Sequence, residues 1–285
     1  MISIIITTLK EFKTLPQAIK AILDQSIKQD YEILVIGPDQ ETEKIVKEFA
    51  QINSKIEYLQ DQGKGKPAAL NLGFKKARGE ILILTDGDVW IKKNILEDFL
   101  KYFEDKNIGA VTGQPISLNS KNNMLGYWSH FLTQAAHQWR LKNNSFSCSG
   151  YLYGFRNIIK EIPNNTLAED GIISGLIRKN GYQIAYVAQA EVYVKYPDNF
   201  QDWLKQKLRS TGGYIQKQSR KERNFFQEVQ GGITMFFTYP KNIKEFYWTI
   251  LLYLSRIYLW LKILWQIKIK NKSFESIWQR VESTK

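Results

Sequence analysis

The chain has a single cysteine, Cys148. An internal disulfide framework is therefore excluded, and a reducing cytoplasm is the compartment that suits the composition. Only two histidines occur, His130 and His137. Seven apart on an expected helix they share a face, but no carboxylate stands at metal-ligand spacing, and packing or surface roles are expected for both. No Gly-x-Gly-x-x-Gly follows the first strand, and no Gly-Lys-Ser/Thr run is present, which argues against a dinucleotide fold or a P-loop. The N-terminus, Met1-Ile2-Ser3-Ile4-Ile5-Ile6, has no basic segment and no small-residue cleavage site, so it reads as a first strand rather than a signal peptide. Internal repeats and low-complexity tracts are missing. Acidic residues are scarce in one region only: residues 201–285 hold 16 Lys+Arg against 6 Asp+Glu, whereas residues 1–200 hold 24 against 22.

What is present is a globular composition, 44% hydrophobic and 13% aromatic over 285 residues, enough for one large domain with or without an appendage. Apolar runs at Ile2–Thr7, Tyr31–Ile36, Lys55–Leu59 and Ile81–Leu84 read as short buried strands. Between them lie helical patterns. Thr14 is expected to cap a helix with Pro16 in its first turn and Ala18, Ile19, Ile22 and Leu23 on one face. Ile45, Val46, Phe49 and Ile52 mark a second helix, and Pro67 opens a third over 67–77. Alternating strands and helices predict an α/β fold with a wound, mostly parallel sheet and a ligand site at its carboxyl edge. Further on, the patterns predict helices near 93–104, 122–142 and 168–179. Strands are expected at 108–116, Ser149–Phe155, Tyr182–Val187 and Glu191–Val194, and helices again at 200–219, 241–270 and 274–282.

The fourth strand stops at Thr85-Asp86-Gly87-Asp88. Two carboxylates in a turn at a sheet's carboxyl edge can face one hard cation, and Gly87 leaves room for a ligand near the backbone. A solvated Asp-Gly turn is the alternative from these residues alone. Gln62-Gly63-Lys64-Gly65-Lys66-Pro67 brings two glycines and two lysines to a helix N-terminus. That arrangement suits a phosphate, or equally a solvated basic loop. Ala168-Glu169-Asp170 opens another helix; its carboxylates are either dipole partners or include a general base. Gln206 and Arg209, three apart, share a helix face on which an Arg fork could hold a phosphate.

In this order the pieces resemble the family 2 glycosyltransferases, which have a GT-A fold, over residues 2–215. Among these the chain looks most like the membrane polysaccharide synthases of the cellulose, hyaluronan and poly-N-acetylglucosamine types. Thr85–Asp88 is similar to the family's Asp-x-Asp motif, Gly65-Lys66-Pro67-Ala68-Ala69-Leu70-Asn71 to its Gly-Lys-x-x-Ala-Leu-Asn run, and Ser149-Gly150 with Phe155-Arg156 to its Ser-Gly…Phe-Arg segment. Ala168-Glu169-Asp170 and Gln206-x-x-Arg209 match the acceptor-side Glu-Asp motif and the start of Gln-x-x-Arg-Trp. The resemblance implies a Rossmann-like central sheet with helices on both faces over residues 1–220, followed by a helical extension over 221–285. It implies inverting transfer from a nucleotide-sugar, with UDP favoured, to a glycan or lipid-linked hydroxyl. Asp88 would bind Mg2+ or Mn2+. Thr7, Asp39, Lys66, Asp86, Gln206 and Arg209 would hold the donor, Asp170 would act as base, and Glu169 would stand on the acceptor side. Two departures are visible. Gly37-Pro38-Asp39 offers one aspartate where the family usually has more, and Ser210 replaces the Trp that accompanies processive synthesis, so single transfer competes with polymerisation.

The apolar run Phe246–Ile269 is long enough to span a bilayer, but Arg256 and Lys262 lie inside it. Ser255, Lys262 and Gln266 form a narrow polar stripe, basic residues flank the run, and Trp248, Trp260 and Trp265 suit an interface. A helix lying on an anionic cytoplasmic leaflet is expected, with packing on protein and a spanning helix as alternatives. The basic charge would also suit nucleic acid, but no nucleic-acid motif accompanies it, and none is expected as a partner. Two other functions compete with sugar transfer: a non-catalytic nucleotide- or membrane-binding protein, and a nucleotidyltransferase.

Overall fold

The computed structural model describes residues 1–215, 233–270 and 281–284. Its centre is one eight-stranded sheet: β1 (Ile2–Thr7), β2 (Tyr31–Gly37), β3 (Ile56–Gln60), β4 (Ile81–Asp86), β5 (Val89–Ile91), β6 (Ile108–Ser117), β7 (Leu152–Arg156) and β8 (Gln183–Val194). The strand order is β3-β2-β1-β4-β7-β6-β8-β5. The first four strands are mutually parallel, with Ile6 opposite Val35 on one side and Thr85 on the other. β7 then runs antiparallel to both β4 and β6, β6 and β8 pair in parallel, and β5 closes the edge antiparallel to β8.

The helices are α1 (Leu15–Leu23), α2 (Gln40–Ile52), α3 (Lys66–Lys76), α4 (Leu96–Lys101), α5 (Met124–Lys142), α6 (Glu169–Lys179), α7 (Phe200–Ile215) and α8 (Ile243–Leu264). A pleated strand sends alternate side chains to opposite faces, and β1 does so. Ile2, Ile4 and Ile6 pack with Leu15, Ile19 and Ile22 of α1 and with Phe99 of α4. Ile5 joins Leu70 and Phe74 of α3 and Ile173 and Ile177 of α6 on the other face. β1 is thus buried on both faces because helices cover both.

Several local expectations are corrected. Thr14 stands at the start of α1, but its side chain makes no cap there and donates instead to the Glu11 carbonyl at 3.3 Å. Asp39 caps α2, accepting from the Thr42 N–H at 2.8 Å. The short β5 was missed because three residues carry too little pattern to detect. The two strands expected at 182–194 are one strand with irregular register opposite Thr112–Gln114. The strand expected from Ser149 begins at Leu152. The helix expected at 274–282 lies largely outside the described residues, as does the end of the one expected over 200–219.

A third layer forms where α8 lies along α5 and α7. Tyr127, Trp128 and Phe131 of α5, Trp203 of α7 and Leu252 of α8 make an aromatic cluster. The Trp128 indole donates to the Trp248 carbonyl at 2.7 Å, and the Tyr127 and Thr249 hydroxyls are 2.8 Å apart. Leu208 of α7 packs with Leu259 and Ile263 further along. The opposite side of α8 stays bare: Ile243 is 89% exposed and Leu261 63%. Among the described residues, Ile243–Ile267 is the one helix long and apolar enough to cross a membrane. Packing on protein and an outward apolar face, alternatives in sequence, belong to two sides of one helix.

Candidate active site

The site forms where β1 and β4 end side by side. Thr7 and Asp86 are register partners, and the Thr7 hydroxyl donates to Asp86 Oδ1 at 2.9 Å. The Gly87 N–H donates to the Thr7 carbonyl at 3.0 Å. A Cβ on Gly87 would lie 2.7 Å from Glu11 Oε2 and 2.8 Å from Thr8 Oγ1, so only glycine lets the turn press against the loop after β1. Asp88 is thereby placed in a cleft of about 390 Å3, which Thr7, Lys64, Lys66, Asp86 and Arg209 also line.

Lys66 is the first residue of α3, set by Gly65 at φ 96°. Its ammonium sits 2.7 Å from Asp86 Oδ1 and 2.6 Å from Glu169 Oε1. Burial alone would lower the Lys66 pKa, but the two carboxylates more than offset it and hold it well above the usual lysine range. From its sequence the Lys64/Lys66 loop suits a phosphate or equally a solvated basic loop; in the structure the Lys66 ammonium ties the Asp-x-Asp turn to the start of α6. Lys64 lines the cleft without such a clamp. Asn71, at the end of the same motif, accepts from the Ile162 N–H and donates to the Ile162 carbonyl, both at 2.8 Å. That two-way bond pins the loop whose Asn164, Thr166 and Leu167 close the cleft.

Asp170 lies beyond this clamp. It lines a second cavity of about 280 Å3 between α5, α6, α7 and α8. Burial, and then the neighbouring Glu169 carboxylate, push its pKa up to about 6, although the Gly171 N–H donates to Asp170 Oδ1 at 2.8 Å. A Cβ on Gly150 would lie 3.2 Å from Asp170 Oδ2, so the Ser149-Gly150 segment keeps space in front of that oxygen. Lys66, Asp86, Tyr151, Glu169, Gln206 and Arg209 line both cavities and form their common wall. Gln206 and Arg209 reach it from one face of α7, and Gln206 Oε1 is buried with no hydrogen-bond partner among the described residues.

Of the residues expected in the site, Thr7, Lys66, Asp86, Asp88, Glu169, Asp170, Gln206 and Arg209 converge on these two cavities. Asp39 does not line either. Its carboxylate is engaged at the α2 N-terminus, and Asp61 lines the cleft nearby instead. Sequence reasoning missed Glu11, Tyr151 and the terminal residues, and quoted Asn71 only as the end of a motif. Val281 and Thr284 line the first cleft, and the Glu282 and Ser283 N–H groups donate to Asp202 Oδ2 at 3.2 and 3.0 Å. No local pattern marks such a contact across about 80 residues. His130 Nε2 meets the Asn119 carbonyl and His137 Nδ1 the Tyr186 hydroxyl, each at 2.7 Å. Cys148 is buried, and burial pushes its thiol up to about 12, which disfavours the thiolate.

Among the described residues no three His, Cys, Asp or Glu side chains cluster as a closed metal site. The donor set nevertheless suits a hard divalent cation of the magnesium type. Asp88 supplies a carboxylate in an open cleft, and such ions are commonly completed by substrate phosphates rather than by an all-protein cage.

A mixed sheet with a wound parallel half, an Asp-x-Asp turn at its carboxyl edge and two adjoining cavities there are the features of a GT-A glycosyltransferase domain. The sequence profile of glycosyl transferase family 2 matches residues 3–163, more than half of the chain, and the chain belongs to that family. It is similar to the probable glycosyltransferase YdaM of Bacillus subtilis, with 25% identity over 235 residues, 74% of this chain and 54% of that protein. It is also similar to the hyaluronan synthase of Streptococcus pyogenes, with 26% identity over 54% of this chain and 40% of that one. Thus the chain spans about half the length of these relatives. A mannosyltransferase from Pyrobaculum calidifontis, solved with GDP-Man and Mn2+, shares the fold at TM-score 0.61 and 16% identity, over 88% of this chain and 73% of that one. S. aureus TarS with UDP-GlcNAc does so at TM-score 0.56 and 15% identity, over 86% of this chain and 77% of that one.

Proposed function

We propose that the chain transfers a sugar from a nucleotide-sugar, with UDP favoured, to a hydroxyl of a glycan or lipid-linked acceptor, inverting the anomeric centre. The observation that carries this reading is the shared wall. Asp88 lines only the first cavity, Asp170 only the second, and Arg209 and Gln206 stand between them. The first cavity takes the donor, with its diphosphate against Arg209, Gln206 and Lys64. Asp88 and the diphosphate would together hold Mg2+ or Mn2+, which supplies charge neutralisation on the leaving oxygens. Arg209 adds bidentate hydrogen bonds to the same oxygens. Asp170, on the far side of the sugar, accepts the acceptor hydroxyl's proton, and attack from that side inverts the centre. Glu169 is kept on the acceptor side by Lys66, and Thr7 and Lys66 together fix Asp86 towards the donor's ribose.

The relatives solved with GDP-Man and UDP-GlcNAc support a nucleotide-sugar donor, and the one solved with Mn2+ supports a divalent ion. The bare apolar side of α8, with basic residues at both ends, supports attachment to the anionic cytoplasmic face of a membrane. Residues 221–285 would then serve as the attachment region of a catalytic domain over 1–220.

The test is release of nucleoside diphosphate from a panel of nucleotide-sugars with Mn2+. Asp88→Asn should lose metal-dependent release, and Asp170→Asn should retain nucleotide binding but lose transfer. Release of pyrophosphate from a nucleoside triphosphate would instead make the protein a nucleotidyltransferase. Retention of the donor's anomeric configuration, read by NMR of the product, would remove Asp170 from the role of base.

A further inference from the structure

Among the described residues, the second cavity gathers more cations than its chemistry at Asp170 requires. Lys66, Arg140, Lys207, Arg209 and Arg256 line it beside the carboxylates of Asp86, Glu169 and Asp170. Lys66 binds Asp86 and Glu169, and Arg209 also lines the first cleft. Arg140, Lys207 and Arg256 reach the cavity one each from α5, α7 and α8.

Lys207 is the telling member. Its ammonium has no ion pair and no hydrogen bond among the described residues, although the residue is half-buried and lines this cavity. Burial, and then the Arg256 guanidinium beside it, push its pKa down to about 7. Two like charges facing each other in a low-dielectric cavity destabilise the empty protein. That arrangement is useful only where a ligand brings negative charge. Arginine forks match phosphate oxygens two at a time, and a lysine between them adds a point charge.

We propose that this cavity takes an acceptor bearing a phosphate group, as a phosphoester or diphosphate, held by Arg140, Lys207 and Arg256 with its reacting hydroxyl at Asp170. This deepens the reading of Asp170 as the acceptor-side base and rests on it. The phosphate can belong to a lipid or to a soluble polyol. Arg256 comes from the inner side of the helix whose outer side is bare and apolar, which suits an acceptor presented at a membrane surface. This also accounts for a charge that looks costly inside an apolar run: Arg256 faces the cavity, not lipid.

The experiment isolates the second cavity by saturating the full-length protein with Mn2+ and the nucleoside diphosphate it binds. Calorimetric titration then compares matched probes: farnesyl phosphate against farnesol, and sn-glycerol 3-phosphate against glycerol. Each phosphorylated probe that uses the site should bind at least about tenfold tighter than its neutral twin, because charge-assisted hydrogen bonds are lost in the twin. Lys207→Met and Arg256→Met should each remove roughly ten- to a hundredfold of that affinity. A preference confined to farnesyl phosphate supports a lipid source, and one confined to glycerol 3-phosphate a soluble source. Neutral twins that bind as well as their phosphates, or phosphate binding intact in both variants, would overturn the proposal. The twin comparison uses the unaltered protein, so it stands even if a variant fails to fold. Absence of nucleotide-sugar turnover with any acceptor would instead remove the underlying function, a different result from a failed twin comparison.

Discussion

Replacing Lys66 by Met tests whether the Lys66 clamp holds the site together. The substitution keeps an unbranched apolar stem and deletes the ammonium that lies 2.7 Å from Asp86 and 2.6 Å from Glu169. Both carboxylates then lose the ammonium in direct contact with them, and Glu169 still stands beside Asp170. Removing one partner of a buried ion pair costs about 3–5 kcal/mol, chiefly because the other charge is stranded. The Lys66 side chain is 25% exposed, so water screens part of the loss and about 3 kcal/mol is expected. Unfolding entropy of about 2.1 cal/mol/K per residue gives roughly 0.6 kcal/mol/K for this chain, and hence a Tm about 5 °C lower. The assay is differential scanning fluorimetry at pH 7.5 without divalent ions. One control sharpens it. Glu169→Gln in the same background removes one stranded charge and should recover part of the deficit. A Tm within 1 °C of the parent protein, or a deficit that Glu169→Gln leaves unchanged, would show that the contacts are incidental surface pairing.

Three further outcomes are expected. The Asp170 carboxyl, raised from its usual value to about 6, must be ionised to act as base, so kcat/KM should fall about tenfold per pH unit below pH 6; a profile flat to pH 5 would exclude that assignment. The same shift has a stability counterpart. A raised folded pKa favours folding below the unfolded value and loses that contribution as pH rises through the folded one. Asp170→Asn should therefore raise Tm at pH 8 but not near pH 4. At the other end of the sheet, Glu32 is buried and binds the Ser3 hydroxyl at 2.6 Å and Arg78 at 2.7 Å; Glu32→Ala should destabilise by about 3 kcal/mol, read by urea denaturation, with the Km for donor unchanged.

Much of the molecule was legible in its order of residues. Ile2–Thr7 and Ile81–Leu84 announce buried strands because an all-apolar run has no solvent face to offer, and Asp86 and Asp88 announce a site because carboxylates end such a run. Helix periodicity placed Gln206 and Arg209 on one face, where they are found. Those are local facts, carried by neighbours a few residues apart. What only the tertiary structure decided lies between distant segments. Only the fold brings Asp86 and Glu169 to Lys66, and only the fold shows the Asp39 carboxylate bonded at the α2 N-terminus. The antiparallel half of the sheet depends on which edge β7 finds, and a five-residue strand does not encode that. Most of all, Arg256 looked like a misplaced charge in an apolar run. Its neighbours in sequence are apolar, but its neighbours in space are Lys207 and the second cavity, because one helix turns two faces to two different surroundings.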